Sequence, residues 1–504
     1  MRIENYPSSY LTPYTSYLKL PISLLIIPAF GYCPPLSAPV PLHQQKIIKK
    51  RKMKQKVWGL SLGLMLCTGA LYADEGTTSQ RTEPDGRAKL ASIEAVQKTD
   101  AKAAPCKRRF TIGGYGEAVY SYNFYSDNYL RYDSPQNYKD DTHGRFDLPH
   151  VVIMLGYDFG KGWTMGTEIE FEHGGTESAV EIEEHEGGEY ESEVERGGEV
   201  ALEQFWIQKS FCPQFNIKLG HMVVPVGMTN AHHLPTEFFG VYRPEGENTI
   251  LPCTWHETGI SLWGRAGQWR YEAMLLAGLD SDRFGSKEWV KGGAGSPYEF
   301  KIANAMAGAF RVDNYSVKGL RLSLSGYAGN SFSNTLKKAT NAVYDDVKGT
   351  VLIGAFDFCY DAHNWVARGS FDYGHLSDAD LITRYNQSFS KDSPSPKQPV
   401  ASSAIATGVE VGYDFLSLNP RRADKEQRLY LFGRYEYYDS MYKTAKAVTH
   451  YEEYGRQRLA VGVNYYPLKE VVLKGEYSIG LLKSKFNNEP AVSVGVAYAG
   501  FFNL

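Results

Sequence analysis

From Arg109 to the C-terminus, apolar and polar residues alternate in segments of roughly ten residues, separated by stretches rich in Gly, Asn, Asp and Ser. The third segment, WTMGTEIEFEH, shows the pattern most plainly. Trp163, Met165, Ile169 and Phe171 hold one parity, and Glu168, Glu170 and Glu172 hold the other. Side chains change face at every residue of a strand, so this segment presents an apolar stripe backed by a carboxylate stripe. Sixteen such segments follow one another. They begin with RFTIGGYGEAVYSY and DLPHVVIMLGYDF, pass KIANAMAGAFRV as the eighth, and end with AVSVGVAYAGFF.

The connections alternate too. Short turns (GKG, CPQ, AGQ, DAHN) follow even-numbered segments, and longer polar loops (123–144, 174–198, 228–256, 375–403) follow odd-numbered ones. An even strand count with short turns on one side and long loops on the other predicts an all-β fold. The expected form is a transmembrane antiparallel β-barrel of about 16 strands, with short periplasmic turns and long extracellular loops. A soluble sandwich also alternates, but here Trp163, Trp269, Tyr271, Trp365, Tyr373, Tyr413, Tyr435, Tyr437 and Tyr465 continue the apolar faces at their ends. Aromatic girdles at two lipid interfaces account for that placement. The carboxylate stripe of segment three then faces a water-filled interior, which tolerates it where a packed core would not.

The N-terminal region changes the picture by implying export. Residues 53–73 have a basic start, an apolar stretch from Val57 to Ala70 and a small Ala73, the layout of a signal peptide cleaved after Ala73. Leu66 before Cys67 is too large for a lipid-attachment site. Residues 1–52 read as an upstream mis-start or extension, residues 74–107 as a polar periplasmic linker, and residues 108–504 as the barrel. The first 73 residues carry nine Lys/Arg against one Glu, a net +8, so the formal charge of −3 becomes −11 for the remainder. An acidic chain excludes nucleic acid as a partner. The cysteines show no metal-binding or disulfide spacing, and no cofactor or metal is expected.

The stretch GHMVVPVGMTNAHHLPTEFFGVYRPEGENTILPCTWHETGISLWG, with VVIMLGYDFGKGWTMGTEIEFEHG, resembles the phosphate-selective porin O and P family, especially its Bacteroidetes-like members. The resemblance runs from about residue 110 to the C-terminus. It implies an outer-membrane location in a Gram-negative bacterium and a homotrimer of 16-stranded barrels with an inward-folded third loop. It also implies partners in outer-membrane lipid, lipopolysaccharide and small hydrophilic solutes or anions such as phosphate.

Strand parity gives an independent list of inward residues. Candidate pore-lining side chains are Arg270, Arg311, Arg321, Arg368, Arg434 and Arg458 on the later segments, and Glu168, Glu170 and Glu172 on the third. Lys218, Lys301, Arg428, Lys474, Glu117, Glu272, Asp357, Asp372, Glu410, Asp414, Glu436 and Glu476 share that face. Four same-face neighbours suggest structural pairs: Arg270 with Glu272, Arg368 with Asp372, Arg434 with Glu436 and Lys474 with Glu476. The third loop holds His232, His233, Glu237, Arg243, Glu245, Glu247 and His256 without HExxH, a nucleophile elbow or a triad spacing. It reads as a constriction loop with polar tips, and no enzyme is expected. The alternative is a surface barrel whose long loops bind a ligand. The second loop, EIEEHEGGEYESEVERGGE, reads as a solvated hairpin.

Overall fold

The computed structural model describes residues 109–503 except 133, 139–140, 174–177, 183–191, 197–198, 297–299, 335–341, 392–396, 420–425 and 484. The expected extension, signal peptide and linker lie outside the described residues.

The first eight long strands are β1 (Phe110–Asn123), β2 (His150–Gly160), β3 (Trp163–Glu172), β4 (Glu199–Cys212), β5 (Phe215–Val223), β6 (His256–Ala266), β7 (Trp269–Ala277) and β8 (Met306–Asn314). The next eight are β9 (Leu320–Asn330), β10 (Thr350–Ala362), β11 (Trp365–Leu376), β12 (Ser403–Asp414), β13 (Arg428–Lys443), β14 (Gly455–Leu468), β15 (Val471–Gly480) and β16 (Ala491–Asn503). Each pairs antiparallel with the next, and β16 returns to β1 with Thr111 opposite Asn503 and Asn123 opposite Ala491. The sheet is therefore a closed barrel of sixteen long strands with no free edge.

Burial alternates along the wall. In β7 every odd-numbered residue from Trp269 to Leu275 is exposed and every even-numbered one from Arg270 to Leu276 is buried. Leu275, Phe310, Leu324 and Val461 are about half exposed on the outer face, an apolar band that lipid would cover and water would not. All nine girdle aromatics named from the sequence stand on this face. Trp163, Trp269 and Trp365 each begin a strand at the short-turn end, and the ring of Trp365 packs on Tyr413 of β12 with centroids 4.8 Å apart. The turns themselves explain the hairpins. Lys161 and Gly162, and His363 and Asn364, all have positive φ, as a two-residue hairpin matching the strand twist requires.

Segments two, five and eight are shorter than the sequence reading: the fifth, expected as FNIKLGHMVVPVG to Gly227, ends at Val223. The second was expected to run through Pro149, but a short strand, His143–Asp147, pairs with the end of β1 and is separated from β2 at Leu148 and Pro149. Proline has no N–H to offer the ladder. The eighth was expected to begin at Lys301 but begins at Met306. Lys301 instead turns its ammonium to the carbonyl of Gly293, 3.1 Å away, and to Glu257, 3.0 Å away. In the second loop Ser178–Ile182 pairs with Ser192–Arg196 as a hairpin ribbon.

At the long-loop end the connections fold inward. Val226, Ile250, Leu251 and Trp255 of loop 224–255, Phe284 and Trp289 of loop 278–305, Phe332 of loop 331–349, and Ile382 and Val400 of loop 377–402 join inner residues Leu276, Tyr327 and Leu376 in one apolar core. Among the described residues, three α-helices lie in these loops: α1 (Met228–Ala231), α2 (Glu245–Ile250) and α3 (Ala379–Phe389). Gly374 on β11 is where the Trp289 ring meets the wall, and a Cβ there would collide with that ring. Gly374→Ala is expected to cost about 1–3 kcal/mol. The check is the temperature at which the compact, heat-modifiable gel band is lost; an unchanged temperature would mean the ring moves aside freely.

Candidate functional site

The inner wall carries all nine candidate side chains, and each arginine is already engaged. Arg270 contacts Glu272 at 2.7 Å and Asp313 at 3.5 Å. Arg311 reaches Asp313 at 2.8 Å and Asp357 at 3.0 Å. Arg321 pairs with Asp357 at 3.1 Å and with His232 of loop three. Arg434 spans Glu436 at 3.1 Å and Glu476 at 3.2 Å, and Arg458 meets Glu245 at 3.2 Å. Two expected pairs are replaced. Arg368 binds Glu410 on the adjacent strand at 2.7 Å rather than Asp372 two residues along its own. Lys474 leaves Glu476 and donates to the loop-three carbonyls of Phe238 (3.1 Å) and Gly240 (2.7 Å).

Loop three, residues 224–255, lies inside the barrel, and the wall charges hold its backbone. Glu410 accepts from the Phe239 N–H at 3.2 Å, Glu476 from Val241 at 3.1 Å and Glu436 from Gly246 at 2.9 Å. Across the lumen Arg311 donates to the Gly227 carbonyl at 2.8 Å, and the Gly227 N–H donates to Ser325 at 3.1 Å. An extended loop buried in this way would otherwise leave its peptide groups unsatisfied. Within the loop, Glu247 accepts from the Met228 and Thr229 N–H groups at 3.0 and 2.8 Å. Gly227, at φ 84°, is required because a Cβ would run into that carboxylate. The expected polar tip is in fact partly apolar: Phe238, Phe239 and Val241 are buried. Phe239 stacks on Phe432 at 5.3 Å with the Arg368 guanidinium 5.0 Å from its ring centre.

Between loop three and the wall formed by β2, β4, β5, β7 and β8 lies a cleft that is partly open to solvent, with about 790 Å³ of empty space when that solvent is included. Lys218, Arg270, Arg311, Glu237, Glu272 and Asp313 all line it. A smaller space of about 330 Å³ on the other side of the loop is lined by Arg368 and Arg434 with Glu247, Glu410 and Glu436. Both signs of charge therefore border each space.

The loop's titratable groups are displaced from their usual ranges. Burial pushes the Glu237 carboxyl up to about 7 against the pull of Arg321 and Arg368, and burial with the Asp357 carboxylate pushes Glu247 up to about 7. A carboxyl raised on docking contributes stability that is complete below its free value of ~4.3 and is lost as pH rises through the docked value. Burial holds His232 well down and His233 down to about 3. Their contribution is complete above ~6.5 and is withdrawn below it. Of these four groups only the carboxyls change charge between pH ~6.5 and ~8, so docking weakens over that window. Limited proteolysis of loop three should quicken from the lower to the higher pH, and Glu237→Gln should reduce the increase. A flat rate in the unaltered protein would count against it.

No family model matches the sequence. An uncharacterized protein of Aquifex aeolicus is 27% identical over 401 residues, 77% of this chain and 80% of that one. Among solved structures, a loop L8 deletion of OmpT, an outer membrane protein of Vibrio cholerae, aligns with 78% of this chain and all of its own at 11% identity and a TM-score of 0.43. An anion-selective porin from Comamonas acidovorans aligns with 78% of this chain and 99% of its own, at 11% identity and a TM-score of 0.43. OprB of Pseudomonas putida aligns with 78% and 93% respectively, at 7% identity and a TM-score of 0.41.

Glu168 and Glu170 are buried on the inner face of β3 and Glu172 is half-buried. Strand parity missed their neighbour Glu203. The register between β3 and β4 shifts so that Glu168 faces Gln204 while Ile169 faces Leu202, leaving Glu203 as an extra residue. This bulge turns Glu203 inward, to 2% exposure, between outward Leu202 and Phe205. Sequence alternation carries no signal for a bulge that lets two consecutive residues avoid the lipid.

Proposed function

We propose that this chain is an outer-membrane porin of a Gram-negative bacterium, a passive diffusion channel for small hydrophilic solutes with loop three as its constriction. The observation that carries the reading is the closed barrel with an apolar outer face and a charged inner wall that holds a loop across the interior. The guanidinium groups along β7–β14, each engaged with a wall or loop carboxylate, still place positive charge along that side of the interior, while the carboxylates of β3 oppose anions. The selectivity expected is a weak preference for anions, phosphate among them. The trimer rests on the family resemblance, and export on residues 53–73.

In a planar bilayer the folded protein should give stable ohmic conductance steps. Across a salt gradient, Arg321→Ala with Arg368→Ala should move the zero-current potential toward cations, and Glu168→Gln with Glu170→Gln should move it toward anions. If neither pair shifts it, those side chains are structural partners alone. Silence from correctly folded, heat-modifiable protein would sink the channel reading. It would favour a surface barrel that binds a ligand through its loops, a reading supported by the apolar core in which those loops pack.

A further inference from the structure

The inner wall of β1–β4 gathers more buried carboxyl groups than its basic neighbours answer. Glu117, Glu168, Glu170 and Glu203 are all nearly inaccessible, and the half-buried Glu172 stands beside them. Facing them is the guanidinium of Arg243 from loop three, whose Nε and Nη2 make no hydrogen bond among the described residues. Within this group His150 of β2 and Glu170 and Glu172 of β3 bring one ring nitrogen and two carboxylate oxygens within 4.8 Å of one another. The pairing register explains the convergence, since His150 stands opposite Glu172 and Val152 opposite Glu170.

Two further observations point to a ligand. Glu170 is 2% exposed and its carboxyl meets only the Glu203 carboxyl, while its Oε1 has no N–H or other donor group among the described residues, a crowding of two acidic groups that a bound cation would relieve. The His150 ring is also already oriented, because its Nδ1 lies 2.7 Å from Glu117 Oε1. That carboxylate fixes the tautomer with the proton on Nδ1 and leaves Nε2 as a donor lone pair. A carboxylate behind an imidazole is the arrangement that orients and strengthens metal-bound histidine.

We propose that His150, Glu170 and Glu172 bind a divalent first-row transition metal ion on the inner wall, with Glu117 positioning the imidazole. One imidazole and two carboxylates suit Mn²⁺ or Zn²⁺ better than Ca²⁺, which takes oxygen ligands. The dication offsets the carboxylate excess and ties β2 to β3 beneath loop three.

The test is equilibrium dialysis of the folded, chelator-stripped protein against Mn²⁺, with metal counted per chain and the bound ion read by electron paramagnetic resonance for coupling to one imidazole nitrogen. One equivalent with that coupling is expected. His150→Ala should remove the coupling, Glu170→Gln with Glu172→Gln should abolish tight binding, and Glu117→Gln should weaken it about 10–100-fold. Heat-modifiable migration confirms that each variant is folded. No bound Mn²⁺ would overturn the proposal, as would Mn²⁺ bound equally by the Glu170/Glu172 double variant, which would assign it elsewhere, such as the acidic second loop.

Discussion

Replacing residues 228–251 by a short Gly-Ser link is expected to raise single-channel conductance several-fold while leaving the barrel closed. The ends of loop three are already held together outside that stretch, since the Val224 N–H donates to the Trp255 carbonyl at 2.8 Å and extends the pairing of β5 with β6. What the deletion removes is the part that crosses the interior: Phe238, Phe239, Val241 and Ile250 are all buried there. The wall that held them remains a ring of sixteen strands joined by backbone hydrogen bonds that owe nothing to the loop. Conductance unchanged from the full-length protein, in a barrel shown to be folded, would mean that the route past loop three is not the narrowest one.

Arg311→Met should be the most destabilising single change in the wall, by about 3–5 kcal/mol. This side chain is 2% exposed and ties three separate pieces together: Asp313 on its own strand, Asp357 on β10 and the Gly227 carbonyl of loop three. Methionine keeps much of the volume but leaves two buried carboxylates short of a partner. Denaturant midpoints followed by tryptophan fluorescence read the loss directly. Adding Asp357→Asn should recover part of it, because the cost lies in the stranded charge and the two sites are coupled. Additive losses in the double variant would show that Arg311 acts by packing instead.

The alternation of residues was enough to assign faces. A strand's side-chain period is two, and a slip of one residue would place every Leu and Phe of the outer band in the lumen. That is why Arg270, Arg321 and Glu168 could be assigned to the inner face from their position alone, and why turn chemistry at Lys161–Gly162 and His363–Asn364 marked the short-turn end. Parity failed where backbone geometry departs from the repeat, at Pro149 and at the Glu203 bulge, because a missing N–H or an inserted residue alters pairing without altering composition.

What occupies the interior was decided by closure of the sheet. Lys474 and Gly240, or Glu410 and Phe239, lie far apart in the chain and meet because the ring brings β12–β15 around to loop three. Same-strand neighbours such as Arg368 and Asp372 looked like partners because they share a face two residues apart. The adjacent strand offered Arg368 a carboxylate directly across the ladder, at Glu410. Sequence by itself determined a sixteen-stranded wall with a polar inside and an apolar outside, since both follow from a local period. Only the tertiary structure decided that the polar inside is largely engaged in holding a loop, since a buried peptide group takes whichever donor or acceptor the closed barrel brings within reach.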